Sequence, residues 1–578
     1  MRRLLAALGL ALLLFLGWSM IRDSAPTYDE PVHLASGYTA LRNGARLLNA
    51  MDHPPLAEMW AALPLLVLRP AAFFEHPDWL AGRVYNYSDF FLYKNRVDPE
   101  RMLDTARFWC LVSWGVLLAW GILSWARRFE GEAGMAAGAL CLGLCPPLFS
   151  NAALVTTDAG SAVFFFLTFR LLRESRRTPL RWLGAGVCMG AAMACKFNMF
   201  VLPVFVAAML LGEWRLRRTA ELAARSGQRR GGRKQPLPDA AGFPVAGLAG
   251  ALLAAAFVLA AAYRFWDWHL YFQGLAKTLS RLGAGRGSFF FGSNSVTGSI
   301  LYFPAALAVK TPLPLLLAAV AGVWALWRRT GEEQLQPAGL GRFLELSWLA
   351  APPAAYLLLV CFSKTQIGYR HILPVYPFLL VAAAVGLGWA WRQAWGKPAA
   401  AVLGVWLAAS VLRCQPDYLA YFNETVGGPD RGYRFLVDSN LDWGQGLKPL
   451  AASLRRMGNP PVFLCYFGVA DPSYYGIRYA PLAPITNVDR REGVVRPQGS
   501  DRVLLAVSVT NLQTTYYADH SVFDWLKTRR PLLVAGRSIF LYDLTGDADA
   551  ILRLAGLVEA AGDPVGALWL RKRHVPPA

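Results

Sequence analysis

At 578 residues the chain has room for three or four soluble domains, but 55% hydrophobic and only 17% charged residues do not fit a soluble composition. The 58 Lys+Arg against 38 Asp+Glu leave a formal net charge of +20, which raises nucleic acid as a partner in a soluble protein but reads first as topology in a membrane protein. The 8 Cys include no C-x-x-C pair and no Cys/His cluster at zinc spacing, so they indicate neither a disulfide framework nor a structural metal.

Met-Arg-Arg followed by the apolar run Leu4 to Met20 looks like a signal peptide, but no small-residue cleavage site precedes Arg22-Asp23, so it is read as an uncleaved first helix. Further stretches long enough for a bilayer of roughly 30 Å lie near 106–126, 134–152, 158–174, 180–195, 197–213, 241–262, 311–328, 343–361, 372–391 and 398–413. The expected architecture is a polytopic α-helical membrane protein of about eleven transmembrane helices. With a cytoplasmic N-terminus, Arg127-Arg128, Arg170 to Arg181, Arg215 to Lys234, Arg328-Arg329 and Arg392 to Lys397 fall on one side. That side carries about 22 Lys/Arg in about 70 residues, against about 16 in about 150 residues of the opposite loops, as the positive-inside rule requires. This predicts a multi-pass protein of the cytoplasmic (inner) membrane, with residues 1–414 as the membrane unit and long outer loops at 22–105 and 263–310.

Pro55 to Leu68 is apolar but interrupted by Pro64, and is expected to lie along the membrane surface or to pack beneath it. The Arg/Gly-rich stretch Arg225 to Lys234 reads as a solvated inner loop with no nucleic acid as partner. From Gln415 onward hydropathy falls. Strand-like runs at Tyr433 to Val437, Val462 to Phe467, Val503 to Val509 and Ile539 to Leu544, with a helical run at Leu447 to Arg456, predict an extracytoplasmic α/β domain over 415–578.

A carrier is expected to keep ionisable groups at mid-helix. Here Asp158, Lys196, Lys310, Lys364, Arg370 and His371 all fall at predicted outer helix ends. The densest polar constellation is Thr27-Tyr28-Asp29-Glu30-Pro31-Val32-His33, followed by Met51-Asp52-His53-Pro54-Pro55-Leu56. Adjacent carboxylates suit a general base with an electrostatic or metal-binding partner; the plainer alternative is an exposed acidic cap before Pro31. Lys310-Thr311-Pro312 and Lys364-Thr365-Gln366-Ile367-Gly368-Tyr369-Arg370-His371 place cations where snorkelling to headgroups is the bland explanation. A backbone restricted by prolines after Arg370-His371 also suits gripping a phosphate.

Taken in order, Asp29-Glu30, His53-Pro54-Pro55-Leu56, Val155-Thr156-Thr157-Asp158, Lys310-Thr311-Pro312 and Arg370-His371-x-Leu373-Pro374-x-Tyr376-Pro377 resemble the GT-C superfamily of integral-membrane glycosyltransferases. The resemblance spans roughly residues 1 to 395 and is closest to the protein O-mannosyltransferase and lipid A aminoarabinose transferase group. It implies transfer of one sugar from a polyprenyl-phosphate donor to an acceptor glycan, lipid or protein at the outer membrane face, with inversion. It also implies Asp29 as base, with Glu30 orienting the acceptor or helping to hold a divalent cation. His53 and Asp158 are further candidates for the pocket, and Lys310 and Arg370, with His371 and Lys364, for the donor phosphate. No cofactor beyond that cation is implied.

The C-terminal part, with Tyr421-Phe422-Asn423-Glu424 and Val437 to Gln445, resembles a domain appended to bacterial members of the group. Asp438, Asn440, Asp442 and Trp443 there suit carbohydrate contact, or form a turn capping the helix that begins near Leu447. A transporter or flippase of a lipid-linked sugar is the alternative from another class.

Overall fold

The computed structural model describes residues 2–42, 46–174, 178–229, 242–331, 337–482 and 501–574. The stretch Arg225 to Lys234, read from the sequence as an inner loop, lies outside them from residue 230 onward. Each apolar segment read from the sequence is helical over most of its length. Among the described residues, five helices are long and apolar enough to cross a bilayer, or seven spans if each bent pair counts as one.

The stretch Pro99–Gly143 opens on Asp98, whose side chain accepts from the Arg101 amide at 3.0 Å, and it is interrupted at Gly131 (φ 60°, ψ −138°). A Cβ on Gly138 would lie 3.1 Å from Leu123. An unbroken helix would hold two residues fifteen apart at about 22 Å, so the stretch is a helical hairpin that reverses at Gly131, where a left-handed φ favours glycine. The first helix, Arg2–Asp23, packs against both arms, Gly17 on Leu111 and Gly9 on Ala139. Small residues let other helix pairs approach as closely: Gly186 and Gly190 sit on Ala251 and Ala255, and Gly322 and Gly386 on Ala382 and Ala318.

Breaks in the helices cluster at the opposite end from the Arg127-Arg128 turn. Pro146–Ala152 and Thr157–Arg173 meet at 116°, and Tyr302–Lys310 and Leu313–Arg329 at 108° across Thr311-Pro312. A 3₁₀ turn, Tyr369–Val375, leads into the helix Tyr376–Arg392. Asn423 satisfies the freed end of Tyr302–Lys310: its side chain donates to Ala308 O at 2.6 Å and Thr311 O at 2.8 Å, and its amide to Val309 O at 2.8 Å.

At the other end, a buried acid, Glu130, and a half-buried one, Glu345, gather arginines. Glu130 lies 2.7 Å from Arg329 and 3.4 Å from Arg392, and Glu345 lies 2.7 Å from Arg128 and 2.8 Å from Arg173.

The C-terminal sheet runs in the order Tyr479–Pro481, Val462–Cys465, Leu504–Ser508, Ile539–Asp543, Leu533–Ala535. The first two pairings are parallel (Val462 opposite Tyr479, Phe463 opposite Leu505) and the last two antiparallel (Leu504 opposite Asp543, Leu533 opposite Leu541). Alternate residues face opposite ways. Val462, Leu464, Leu504 and Leu541 pack on the helix Leu447–Arg456, while Phe463, Leu505, Val507 and Phe540 join the apolar core that continues into the membrane helices. Both faces are covered, so the central strands read as unbroken hydrophobic runs.

Three of the expected strands and the expected helix are present. Tyr433–Val437 is not a strand: it holds a 3₁₀ turn at Gly432–Arg434 and a single bridge from Leu436 to Phe290. Its residues are claimed by side-chain packing, Tyr433 on Phe540 and Phe435 on Phe291, rather than by a ladder. Pro55 to Leu68 forms two short helices, Leu56–Ala62 and Leu65–Leu68.

Candidate active site

Asp29 and Glu30 share a peptide bond but not an environment. The helix Glu30–Arg42 starts at this pair. Glu30 reaches back to the Thr27 amide at 2.8 Å and hydroxyl at 3.0 Å, the return half of a capping box whose Thr-x-x-Glu signature is present in the sequence. Its carboxylate also accepts from Arg107 Nε at 2.8 Å and from the Val155 amide at 3.0 Å. Arg107 is fixed in turn by the carbonyls of Ser24 and Ala25, both at 2.9 Å. Both side chains are essentially unexposed, 0% and 1%. Burial raises the Glu30 pKa, but Arg107 and the two amides outweigh it and hold the carboxyl below its ordinary range. Glu30 is therefore a tie between the first outer segment and the helical hairpin. Among the described residues no three His, Cys, Asp or Glu side chains are grouped to hold a metal.

Asp29 points the other way and is 21% exposed. It accepts from an Arg370 terminal nitrogen at 2.8 Å, and the same nitrogen lies 3.6 Å from Asp158. Asp158 is also paired with Lys196. Burial raises the Asp29 pKa; Arg370, with His33, outweighs it, so Asp29 stays ionised below its usual range. Arg370 Nε and His371 Nε2 are buried and have no protein partner. The bend before Thr157, the C-terminal cap of the helix Pro179–Cys195 and the 3₁₀ turn Tyr369–Val375 thus deliver Asp158, Lys196 and Arg370 to one place facing Asp29. The sequence reading joined Asp29, Asp158, Arg370 and His371; the position of Lys196 against Asp158 completes them.

Beneath Asp29 lies a buried relay of polar groups. His33 Nδ1 is 2.8 Å from Glu58 Oε1, which also accepts from Asn49 at 2.6 Å. The His33 ring packs edge-on to His53, centroids 4.8 Å apart. Burial lowers the His33 pKa, but Glu58 overrides it and leaves the imidazole above its ordinary value. Burial and the neighbouring His33 bring His53 down to about 3, so it is neutral. His33, a helical i, i+4 step from Asp29, belongs to the constellation read from the sequence but was given no role there, and Glu58 was not singled out.

Lys310 lies elsewhere. Fully buried, it donates to Leu419 O at 2.9 Å and to Asn440 O, under the rings of Phe422 and Tyr369. Its donors are turned to backbone carbonyls, away from the Asp29 cluster. Lys364 is exposed and donates to Gly283 O at 3.2 Å.

The C-terminal segment closes the cluster from above. Trp443 lies face-on to the Arg370 guanidinium at 4.1 Å. Asp438, in a left-handed conformation (φ 58°), accepts from Tyr516, and Arg286 sits over the Tyr516 ring at 5.2 Å. Burial raises the Asp438 pKa despite the nearby Arg286. The cap of the helix Leu447–Arg456 is Gly446, so the Asp438 to Trp443 loop does not serve as its cap. Arg286, alone between Gly285 and Gly287, was missed in the sequence; an isolated charge among glycines was its only mark.

Comparisons with known proteins return one family model and a set of solved structures. A family model described as dolichyl-phosphate-mannose-protein mannosyltransferase matches residues 103–224, a stretch that carries Arg107, Asp158 and Lys196. In structure the chain is similar to ArnT from Cupriavidus metallidurans bound to undecaprenyl phosphate, at 14% identity over 93% of this chain and 97% of that one, with a TM-score of 0.44. It is also similar to the oligosaccharyltransferase AglB from Archaeoglobus fulgidus in complex with an inhibitory peptide and a dolichol-phosphate, at 12% identity over 70% of this chain and 56% of that one, with a TM-score of 0.38. No curated protein matches in sequence.

Proposed function

We propose that the protein is a membrane glycosyltransferase that moves a sugar from a polyprenyl-phosphate donor to an acceptor hydroxyl at the outer face of the cytoplasmic membrane. The observation that carries this reading is the meeting of Asp29 with Arg370, Asp158 and Lys196 at the bent helix ends, with the buried Arg370 Nε free of protein partners. The matched segment 103–224 and the five motifs support the same class.

In the reaction the acceptor oxygen bonds to the anomeric carbon as the bond from that carbon to the phosphate oxygen breaks. Asp29, ionised and partly exposed, takes the acceptor proton. The electron pair leaves with polyprenyl phosphate, whose added negative charge Arg370 and Lys196 stabilise. In-line attack inverts the anomeric configuration. Asp158 holds the two cations apart and in place. A donor carried by a lipid fits chemistry at a helix end, because nucleotide sugars are cytoplasmic. The arginine-rich helix ends support a cytoplasmic N-terminus. The sugar is a hexose or pentose, and the acceptor a glycan, lipid or protein.

The test uses membranes or proteoliposomes containing the full chain and radiolabelled polyprenyl-phosphate sugars. Label should appear on an acceptor, and Asp29→Asn and Arg370→Ala should each abolish its appearance. Movement of the labelled lipid without covalent transfer would instead identify a flippase, and near-normal turnover by correctly inserted Asp29→Asn would remove Asp29 as the base.

A further inference from the structure

Arg370 is paired with Asp29 and Asp158, and a loop 70 residues further along the chain packs against it as well. Ser439 Oγ donates to Ile367 O at 2.7 Å. Asn440 Oδ1 accepts from the Tyr369 amide at 2.9 Å, and its Nδ2 donates to Tyr302 at 2.8 Å and to Val437 O at 2.8 Å. Lys310 holds the Asn440 carbonyl. Both residues flanking the start of the 3₁₀ turn are therefore fastened to this loop, and Trp443 then covers the guanidinium at 4.1 Å. The approach is close enough that a Cβ on Gly368 would lie 2.1 Å from Ser439 Oγ. The loop is itself sewn to the Asp29 segment, Tyr28 amide to Trp443 O at 2.8 Å and Ala25 amide to Gln445 O at 3.0 Å.

We infer that Trp443 is a positioning residue for the phosphate grip, setting the Arg370 guanidinium between its ring face and Asp29, and that the C-terminal segment is thereby part of the donor site rather than an appended acceptor module. The inference rests on the proposed donor chemistry. A planar cation laid on an indole face keeps its N–H edges free for in-plane hydrogen bonds. One terminal nitrogen points to Asp29, and the unpartnered Nε edge is left for an anion. Without the ring, Arg370 keeps its charge and its carboxylates but loses the plane that orients that edge.

The test measures binding of undecaprenyl phosphate to the purified full-length protein. Trp443→Leu keeps apolar bulk without a π face, and Trp443→Phe keeps a smaller face. Trp443→Leu should weaken binding roughly three- to thirty-fold, the range of a desolvated cation–π contact, and Trp443→Phe should recover most of it. In an Arg370→Ala background Trp443→Leu should add nothing. Parental affinity in Trp443→Leu, or an equal loss with and without Arg370, overturns the inference while leaving the donor reading intact. A parent protein with no affinity for undecaprenyl phosphate overturns the donor reading and this inference with it.

Discussion

Asp29 and Glu30 are neighbours whose substitution should fail in opposite ways. Glu30→Gln leaves the Arg107 guanidinium, 1% exposed, with two carbonyls and only the more distant Asp104 carboxylate, at 3.6 Å, as counter-charge, and turns an amide NH₂ toward donors that need an acceptor. Removing one partner of such a pair costs about 3–5 kcal/mol, a large part of a typical total of about 5–15 kcal/mol. Asp29→Asn weakens one contact of a residue that is 21% exposed, and Arg370 keeps Asp158 and Trp443, so its cost should be about 1–2 kcal/mol. Thermal unfolding in detergent, followed by tryptophan fluorescence, should show a large drop in the midpoint for Glu30→Gln and a small one for Asp29→Asn. Transfer per folded molecule should survive in the first and vanish in the second. A Glu30→Gln protein with parental stability and no transfer would show that Glu30 acts in the chemistry, and would refute the assignment of its carboxylate to Arg107.

The remaining expectations concern the supports of the site. His33 and Glu58 both have folded pKa values above their ordinary ones, so the folded state holds these protons more tightly; their stabilisation is complete at low pH and is lost as pH rises through the folded values. For His33 that window opens above 6.5, and the unfolding midpoint should fall across it in the parent but less in Glu58→Gln. Lys310→Met leaves Leu419 O and Asn440 O without their buried donor, at about 1–3 kcal/mol each, and should lower stability more than it changes affinity for undecaprenyl phosphate in the folded fraction. Gly368→Ala should abolish transfer by pushing Ser439 away, and Ser439→Ala should restore part of it, because the nearest remaining side-chain atom is then 3.2 Å from the new methyl; no recovery in the double variant would mean that the clash lies elsewhere.

The membrane helices were legible because a long apolar run has few alternatives in lipid, and the helix Leu447–Arg456 because its apolar residues recur at helical spacing. The Asp29, Asp158 and Arg370 group was legible as motifs sharing one end of the bundle. What the sequence did not disclose is which way a charged side chain turns once two such motifs meet. Glu30 finds Arg107, 77 residues away, and Lys310 finds Asn440, 130 residues away. Nothing local announces either partner, and a lysine at a helix end looks the same whether it faces a phosphate or a buried carbonyl. Tyr433–Val437 was misread for a related reason: alternating aromatics can pack singly against separate neighbours as well as pair in a sheet.

The buried Glu130, set at the turn of the early helical hairpin, has a consequence for how the protein is made. Its counter-ions, Arg329 and Arg392, are synthesised about 200 and 260 residues later, on helices that enter the membrane long after the hairpin has formed. Until then the hairpin carries a carboxylate with no permanent partner, so its final seat is fixed only when Leu313–Gly331 and Tyr376–Arg392 arrive. The second of these helices also carries the Arg370 turn at its other end. One late insertion event therefore both neutralises the Glu130 end of the bundle and delivers the cation that faces Asp29, which ties assembly of the site to the arrival of this late helix.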